Sequence, residues 1–256
     1  MASEFVHLHN HSDYSLLDGA QTVQTLVNTI DDLGMDSVAL TEHGNMFSVI
    51  PYYKSAKKAG VKPIIGCETY VAVGSRFDKK PRSDGGWGNN HLVLLAQNYT
   101  GYRNLMKLVT YGYLDGFYYR PRVDIDLLKE HNEGIICLSG CLKGEVTEKM
   151  LKDDWDGAKE AALRFAEIFE NRFYLEVQNH GIPDEAKNIQ NMKKLAGELN
   201  LPLVCTNDAH YAKHEHWEAH DVHICLGTGK DRNDPNRLRY ATPEFYFKTQ
   251  DQMYEM

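Results

Sequence analysis

Cysteine is scarce and shows no pairing pattern. The five residues Cys67, Cys137, Cys141, Cys205 and Cys225 are odd in number and lack CxxC spacing. That excludes a disulfide framework and, with no signal-like segment after Met1, predicts a reducing cytoplasm. No apolar run approaches the length a bilayer crossing needs, so no membrane association is expected. Positive charge is also lacking: the formal net charge is -8. Nucleic acid is then not held by bulk charge, and any such binding must be local or metal-mediated. GxGxxG, GxxxxGK[ST] and GxSxG are absent, which removes dinucleotide, P-loop and nucleophile-elbow sites. Internal repeats and low-complexity tracts are missing too. What is present is an ordinary globular composition, 42% hydrophobic and 25% charged over 256 residues. The one unusual count is twelve histidines.

The first of these stand in Phe5-Val6-His7-Leu8-His9-Asn10-His11, where period-2 alternation predicts a strand with three imidazoles on one face. Such a face fills a core poorly, because every ring brings a donor and an acceptor to satisfy. It makes a good metal edge. Six further strands are predicted at 37–40, 61–65, 91–97, 134–138, 173–177 and 202–205, alternating with helices. That order predicts a parallel sheet with helical crossovers, closed as a barrel whose C-terminal mouth holds the site; an open doubly wound sheet is the alternative. Residues 1–256 read as one domain. The end at residues 252–256, inside a predicted helix, suggests the front of a longer chain.

Chemistry-bearing residues gather just past the strands: His9, His11 and Asp18 after the first, His43 after the second, Glu68 after the third, Cys141 after the fifth, Asp208 and His210 after the seventh. His91 stands at the start of the fourth strand, not its end. Each alone is a satisfied polar residue at odds of roughly three to one. Eight of the nine falling at strand ends point to a site for more than one metal, where carboxylates bridge, imidazoles terminate and a thiolate prefers zinc. His216 and His220 have i, i+4 spacing but read as part of an amphipathic helix with Trp217, Ile224 and Leu226 inward. His131 and His180 read as surface or capping residues, His180 also standing near the mouth. The loop with Arg76, Lys79, Lys80 and Arg82 reads as a soluble excursion.

The strings HLHNHSDYSLLDG, TEHGNM, GCETYV, HLVLLAQN, LSGCLKGE and TNDAHY resemble the motifs of the polymerase and histidinol phosphatase (PHP) family. With FYYRPRVD between them, they resemble its form at the N-terminus of bacterial replicative DNA polymerase III alpha subunits. The resemblance implies an α/β fold, a distorted (β/α)7 barrel, holding two or three divalent metals: zinc, manganese or both, or iron. It implies as ligands His9, His11, Asp18, His43, Glu68, His91, Cys141, Asp208 and His210, with His7 orienting one of them. It implies phosphoester hydrolysis by metal-activated water, with Glu68 as the bridging carboxylate and Asp208 as ligand or proton acceptor. In the polymerase setting the substrate is a DNA 3′ end and the activity a 3′-5′ proofreading exonuclease. Partners are then the rest of the polymerase chain and a separate proofreading subunit. Arg120 and Arg122 are expected to hold phosphates and stack a base, against the plainer reading of a solvent-facing turn. The alternatives are a free-standing phosphatase for a small phosphomonoester such as histidinol phosphate, and a non-catalytic, metal-stabilised scaffold.

Overall fold

In a computed structural model, which describes residues 5–80 and 88–256, seven strands form one curled sheet. Arg82 lies outside the described residues. The strands are β1 (Ser37–Leu40), β2 (Lys62–Ala72), β3 (Asn89–Ala96), β4 (Arg122–Val123), β5 (Ile135–Leu138), β6 (Phe173–Val177) and β7 (Leu203–Cys205). Their order is β1-β2-β3-β5-β6-β7, with β4 beside β2. Val38 to Leu40 and Leu92 to Leu95 are buried at every position. They read as unbroken apolar runs because both faces of the sheet are covered.

The sheet closes through the N-terminal segment. His7 bridges to Val38 and Asn10 to Ala209, both in parallel. Ala39 N donates to His7 O (2.8 Å) and His11 N to Ala209 O (2.9 Å). This segment occupies the place of the expected first strand, but its backbone bends at His9. The Asn10 side-chain amide causes the break by donating to His7 O (3.0 Å) and Ala39 O (2.9 Å). The result is a distorted barrel.

Strand direction corrects the all-parallel expectation. β3 runs antiparallel to both β2 and β5, while the β1–β2, β2–β4, β5–β6 and β6–β7 pairs are parallel. No helix among the described residues joins β2 to β3, and an antiparallel pair needs no crossover. β2 also runs seven residues beyond its expected end at Ile65. This extension carries Glu68 inside the strand.

The helices are α1 (Val23–Asp32), α2 (Val49–Ala59), α3 (Tyr99–Leu114), α4 (Ile125–Glu130), α5 (Glu145–Leu151), α6 (Trp155–Ile168), α7 (Pro183–Leu199), α8 (Trp217–Thr228) and α9 (Gln250–Tyr254). Thr22 caps α1 by accepting from Thr25 N, and Asn200 ends α7 in the left-handed region at φ 52°. Leu94, Leu105, Leu108, Phe165, Phe169 and Phe173 belong to the main core between sheet and helices. Ala39, Val93, Leu95 and Leu138 form a smaller apolar cluster with Ile64 and Val204 packed against it. Alternation along β2 and β3 puts Glu68 and His91 on the same face as Ile64, Val93 and Leu95, nearer the mouth. The apolar cluster is therefore the floor on which the polar site stands.

Two sequence expectations fail locally and a third holds with a difference. On α8, Trp217 and Leu226 are 41% and 77% exposed, and the inward residues are His220, Asp221, Ile224 and Cys225. That inward face is polar because His220 Nε2 donates to Asp18 O (2.8 Å) and Arg237 forks onto Asp221 (2.6 and 2.7 Å). His180 is fully buried, hydrogen-bonded to Glu185 and Asn207 O, and stacked on Phe245. His131 does cap α4, but buried and stacked over Tyr111.

Candidate metal centre

The nine residues singled out in the sequence come together at one mouth. His9 and His11 arrive on the closing segment, Asp18 on the turn after it, His43 past β1 and Glu68 from within β2. Cys141 follows β5, and Asp208 and His210 follow β7. His91 ceases to be an exception: in an antiparallel strand the start lies at the same end as its neighbours' finish.

Glu68 stands at the centre. Its Oε1 lies 2.5 Å from His91 Nδ1 and 3.5 Å from His9 Nε2; its Oε2 lies 2.5 Å from His43 Nδ1 and 3.5 Å from His11 Nε2. Asp208 Oδ1 is 3.3 Å from His9 Nε2 and 3.1 Å from His11 Nε2. Asp18 Oδ1 is 3.2 Å from His43 Nε2, and its Oδ2 is 3.9 Å from His210 Nε2. Cys141 Sγ sits at the edge, 3.8 Å from His91 Nδ1 and 3.9 Å from Glu68 Oε1. The rings of His11 and His43 stack at 4.0 Å and those of His11 and His210 at 4.4 Å.

Cations fit this set of donors. His9 Nε2, His11 Nε2, His43 Nδ1, Asp18 Oδ1, Glu68 Oε2 and Asp208 Oδ1 are all buried, and although they crowd one another at 2.5–3.5 Å none makes a well-formed hydrogen bond. Six unmatched polar atoms facing one another are a heavy cost unless something meets them. Three groups of donor atoms each lie within 4.8 Å of one another: His9, His11 and Asp208; His11, His43 and His210; and His43, Glu68 and His91. They share His11 and His43, so they form one connected cluster.

Neighbouring groups fix which imidazole nitrogen faces inward. Glu176, on β6, accepts from His9 Nδ1 (2.7 Å), which leaves the Nε2 lone pair toward the centre. Ser15 donates its hydroxyl proton to Glu42 Oε2 (2.5 Å), so its oxygen accepts from His11 Nδ1 (2.9 Å). His210 Nδ1 donates to the Asp208 carbonyl (2.7 Å), and Tyr240 OH stands 2.9 Å from its Nε2. Charge is balanced by protons in the absence of cations. Burial opposes charge on His9 and His43, yet Asp208, Glu176 and Glu68 around the first, and Asp18 and Glu68 around the second, hold both well above the ordinary imidazole range. Burial and the neighbouring His43 and His210 push His11 down to about 3. Burial works against charge on Glu68, Asp18 and Asp208, but the surrounding imidazoles hold all three well below the carboxylate range. Burial, then Glu68 and Asp208, push the Cys141 thiol up.

Two expectations are corrected here. His7 does not reach the cluster: its Nε2 donates to Lys248 O (2.9 Å) and its ring packs between Phe5 and Phe247. The bend at His9 breaks the alternation that would have aligned it with His9 and His11. Arg122 is 1% exposed, and its guanidinium donates to the carbonyls of Gly116, Arg76 and Asp78 at 2.9–3.1 Å. Buried and turned onto three backbone carbonyls, it is not presented as a phosphate clamp. Arg120 is exposed, with its guanidinium over Tyr70 at 5.7 Å, and Tyr70 contacts His91 and His43. Glu176, Ser15, Glu42 and Tyr240 were missed, and His220 was read only as part of a helix face. Of the four, Glu176 carried a signal, as a carboxylate inside the otherwise apolar strand Phe173–Val177.

Comparison with known proteins gives the same direction. The model of the PHP domain family matches residues 7–180. The chain is 47% identical over 254 residues to DNA polymerase III subunit alpha of Borreliella burgdorferi, covering 99% of this chain and 22% of that one. Identity to the subunit from Treponema pallidum is 47% (98% and 22% covered), and to that from Thermus aquaticus 43% (99% and 21%). The chain thus spans about a fifth of the length of these curated relatives. Among solved structures, a two-domain protein from Bacteroides vulgatus containing a predicted PHP-like metal-dependent phosphoesterase aligns with TM-score 0.48 and 15% identity, over 80% of this chain and 51% of that one. An amidohydrolase from Chromobacterium violaceum aligns with TM-score 0.44 and 13% identity, over 80% and 87%.

Proposed function

Because the chain belongs to the PHP domain family, we propose that it is the metal-dependent phosphoesterase domain of a bacterial DNA polymerase III alpha subunit, removing nucleotides from DNA 3′ ends as a proofreading exonuclease in the cytoplasm. The observation that carries this reading is the convergence of six unpartnered buried donor atoms on one mouth. His9, His11 and Asp208, His11, His43 and His210, and His43, Glu68 and His91 are the groups to hold two or three zinc, manganese or iron ions, with Asp18 and Cys141 completing them. Such ions, when bound, polarise a phosphate ester and ready water for attack.

The chain's own residues set the conditions. Glu68 touches four imidazoles through two oxygens and so suits the bridging position. Asp208 is held well below the ordinary carboxylate range, which makes it a better cation holder than proton acceptor. Glu176 and Ser15 keep the lone pairs of His9 and His11 aimed inward. The similarity to polymerase alpha subunits makes the remainder of such a chain the first partner and a separate proofreading subunit the second.

The test is degradation of single-stranded DNA labelled at its 5′ end by purified protein loaded with zinc or manganese, with elemental analysis of the same sample. Two to three metal equivalents and a ladder shortening from the 3′ end are expected, both abolished by chelation. A folded protein that takes up no divalent metal removes the centre. Turnover of small phosphomonoesters alone replaces the exonuclease with a phosphatase.

A further inference from the structure

The chain carries more acid than base, with 36 Asp and Glu against 28 Lys and Arg, yet the acid is unevenly placed. Between Glu42 and Glu68 there is none, while Lys54, Lys57, Lys58 and Lys62 fall there. From Gly88 to Leu114 there is again none, with Arg103 and Lys107. These two stretches hold α2 and α3, which both pack on β2, and all six cations are exposed. These two stretches are locally basic on a protein that is acidic overall.

Exposed rings stand beside the metal mouth. Phe47, four residues past His43, is 60% exposed; Phe117 is 50% and Tyr113 is 38% exposed. Their rings run in sequence, Phe47 to Tyr113 at 6.1 Å and Tyr113 to Phe117 at 6.2 Å. Tyr113 stands in the last turn of α3, and the loops that bear the other two are held. Lys79 Nζ donates to Asp115 O (2.6 Å) and Phe117 O (2.8 Å), and buried Arg122 donates to Gly116 O (3.0 Å). Gly44, at φ 63°, lets the loop after His43 lie directly on the other, since a Cβ there would stand 2.8 Å from both Pro121 and Tyr70. From Tyr70 the path reaches the cluster, its ring 5.2 Å from His91 and 6.4 Å from His43, with the Arg120 guanidinium above it.

We propose that Phe47, Tyr113, Phe117 and Arg120 form a track that delivers single-stranded DNA to the metal mouth. Unpaired bases stack on the three rings, and phosphates meet Arg120. Exposed aromatic rings interleaved with cations are what sequence-independent single-strand binding requires, because every base offers a π-face. On a chain of net charge -8, Arg120 supplies the local cation such a track needs. The track rests on the phosphodiesterase reading only for its destination, the scissile phosphate at the cluster.

The experiment is fluorescence anisotropy of the protein with fluorescein-labelled oligo(dT) of about fifteen nucleotides, in chelator, across a salt series. Stacking worth about 1–3 kcal/mol per base predicts that Phe47→Ala and Phe117→Ala each weaken binding about 5- to 150-fold, while Phe47→Trp keeps it. Arg120→Ala weakens binding and lowers the slope of log K against log salt by about 0.7. Both phenylalanines are exposed, so the alanine variants fold. No binding by wild type, or equal affinity in the alanine variants, overturns the track; if those variants instead lose only affinity for another protein, the face is a protein interface and the proposal falls. Wild-type hydrolysis of bis(p-nitrophenyl) phosphate, which has no nucleobase, is measured alongside. Its absence removes the phosphodiesterase reading without touching the oligonucleotide result.

Discussion

Replacing Glu176 by Gln isolates what a buried carboxylate does behind a metal ligand. Glu176 Oε1 accepts from His9 Nδ1 (2.7 Å), Thr206 Oγ1 (2.5 Å) and Gln178 Nε2 (3.2 Å), and Oε2 accepts from Gly140 N (3.0 Å). All four partners are used as donors, which suits a group that only accepts. Gln keeps the volume but brings an NH2. Turned one way, that NH2 faces Gly140 N and leaves a buried donor unmet, at about 1–3 kcal/mol. Turned the other way, it faces His9 Nδ1 and favours the tautomer whose Nε2 carries the proton. That proton would point at Asp208 and Glu68, where a cation needs the lone pair. Either outcome weakens the cation site through orientation, and losses behind metal-bound histidines run at about 10–100-fold in affinity. The assay is competition for zinc or manganese against a chromophoric chelator at pH 7.5, with circular dichroism to confirm the fold. A well-folded Glu176→Gln protein whose metal affinity lies within about twofold of wild type would refute the reasoning.

Stability of the metal-free protein should peak near pH 6.5. Burial lowers His7 and His220 to about 4 and His11 to about 3, so the unfolded chain takes up protons that the fold refuses, and stability rises with pH toward 6.5. His9 and His43 are raised, so their contribution, complete below about 6.5, is lost as pH climbs through their folded values. Asp18, Glu68 and Asp208 are lowered, and theirs, complete above their ordinary values of 3.8 to 4.5, is lost progressively as pH falls below them. Thermal melts in chelator that keep rising from pH 7 to 9 would contradict this, and saturating metal should flatten that alkaline fall. Asp208→Asn removes a charge shared by His9 and His11 and should abolish phosphodiester hydrolysis with the fold intact; unchanged turnover would take Asp208 out of the site. Arg122→Ala should cost about 2–4 kcal/mol in urea unfolding, because three backbone carbonyls lose their donor. Undiminished stability with weaker DNA binding would return Arg122 to the role of phosphate clamp.

The sequence carried the cluster better than the frame around it. Strand ends followed by His, Asp, Glu or Cys are local patterns, and a closed sheet brings strand ends together whatever the details of each strand. His91 shows the limit of that reading. Its position at a strand start looked like an exception, because strand direction depends on whether a connection crosses over or turns back, and the stretch from 75 to 90 has no periodicity to say which. His7 fails for the opposite reason: alternation is a property of unbroken extended chain, and one Asn10 amide bonded to two carbonyls ends it between His7 and His9. Trp217 and Leu226 were assigned inward by apolarity, but the wall that α8 packs on is lined by Asp18 O and Arg237, so α8 turns its polar residues in. Arg122 looked exposed by type and is buried because a loop needed a rigid donor for three carbonyls at once. The groups that aim the imidazoles lie far away in the chain: Glu176 is 167 residues from His9, and Glu42 acts on His11 through Ser15. Such partners have no spacing rule, because each is chosen by where two distant segments happen to meet. A set of lone pairs pointing at a common centre is set by those remote contacts as much as by the nine donors themselves. The residues that bind can therefore be read from a string, while the angle at which they bind belongs to the closed barrel.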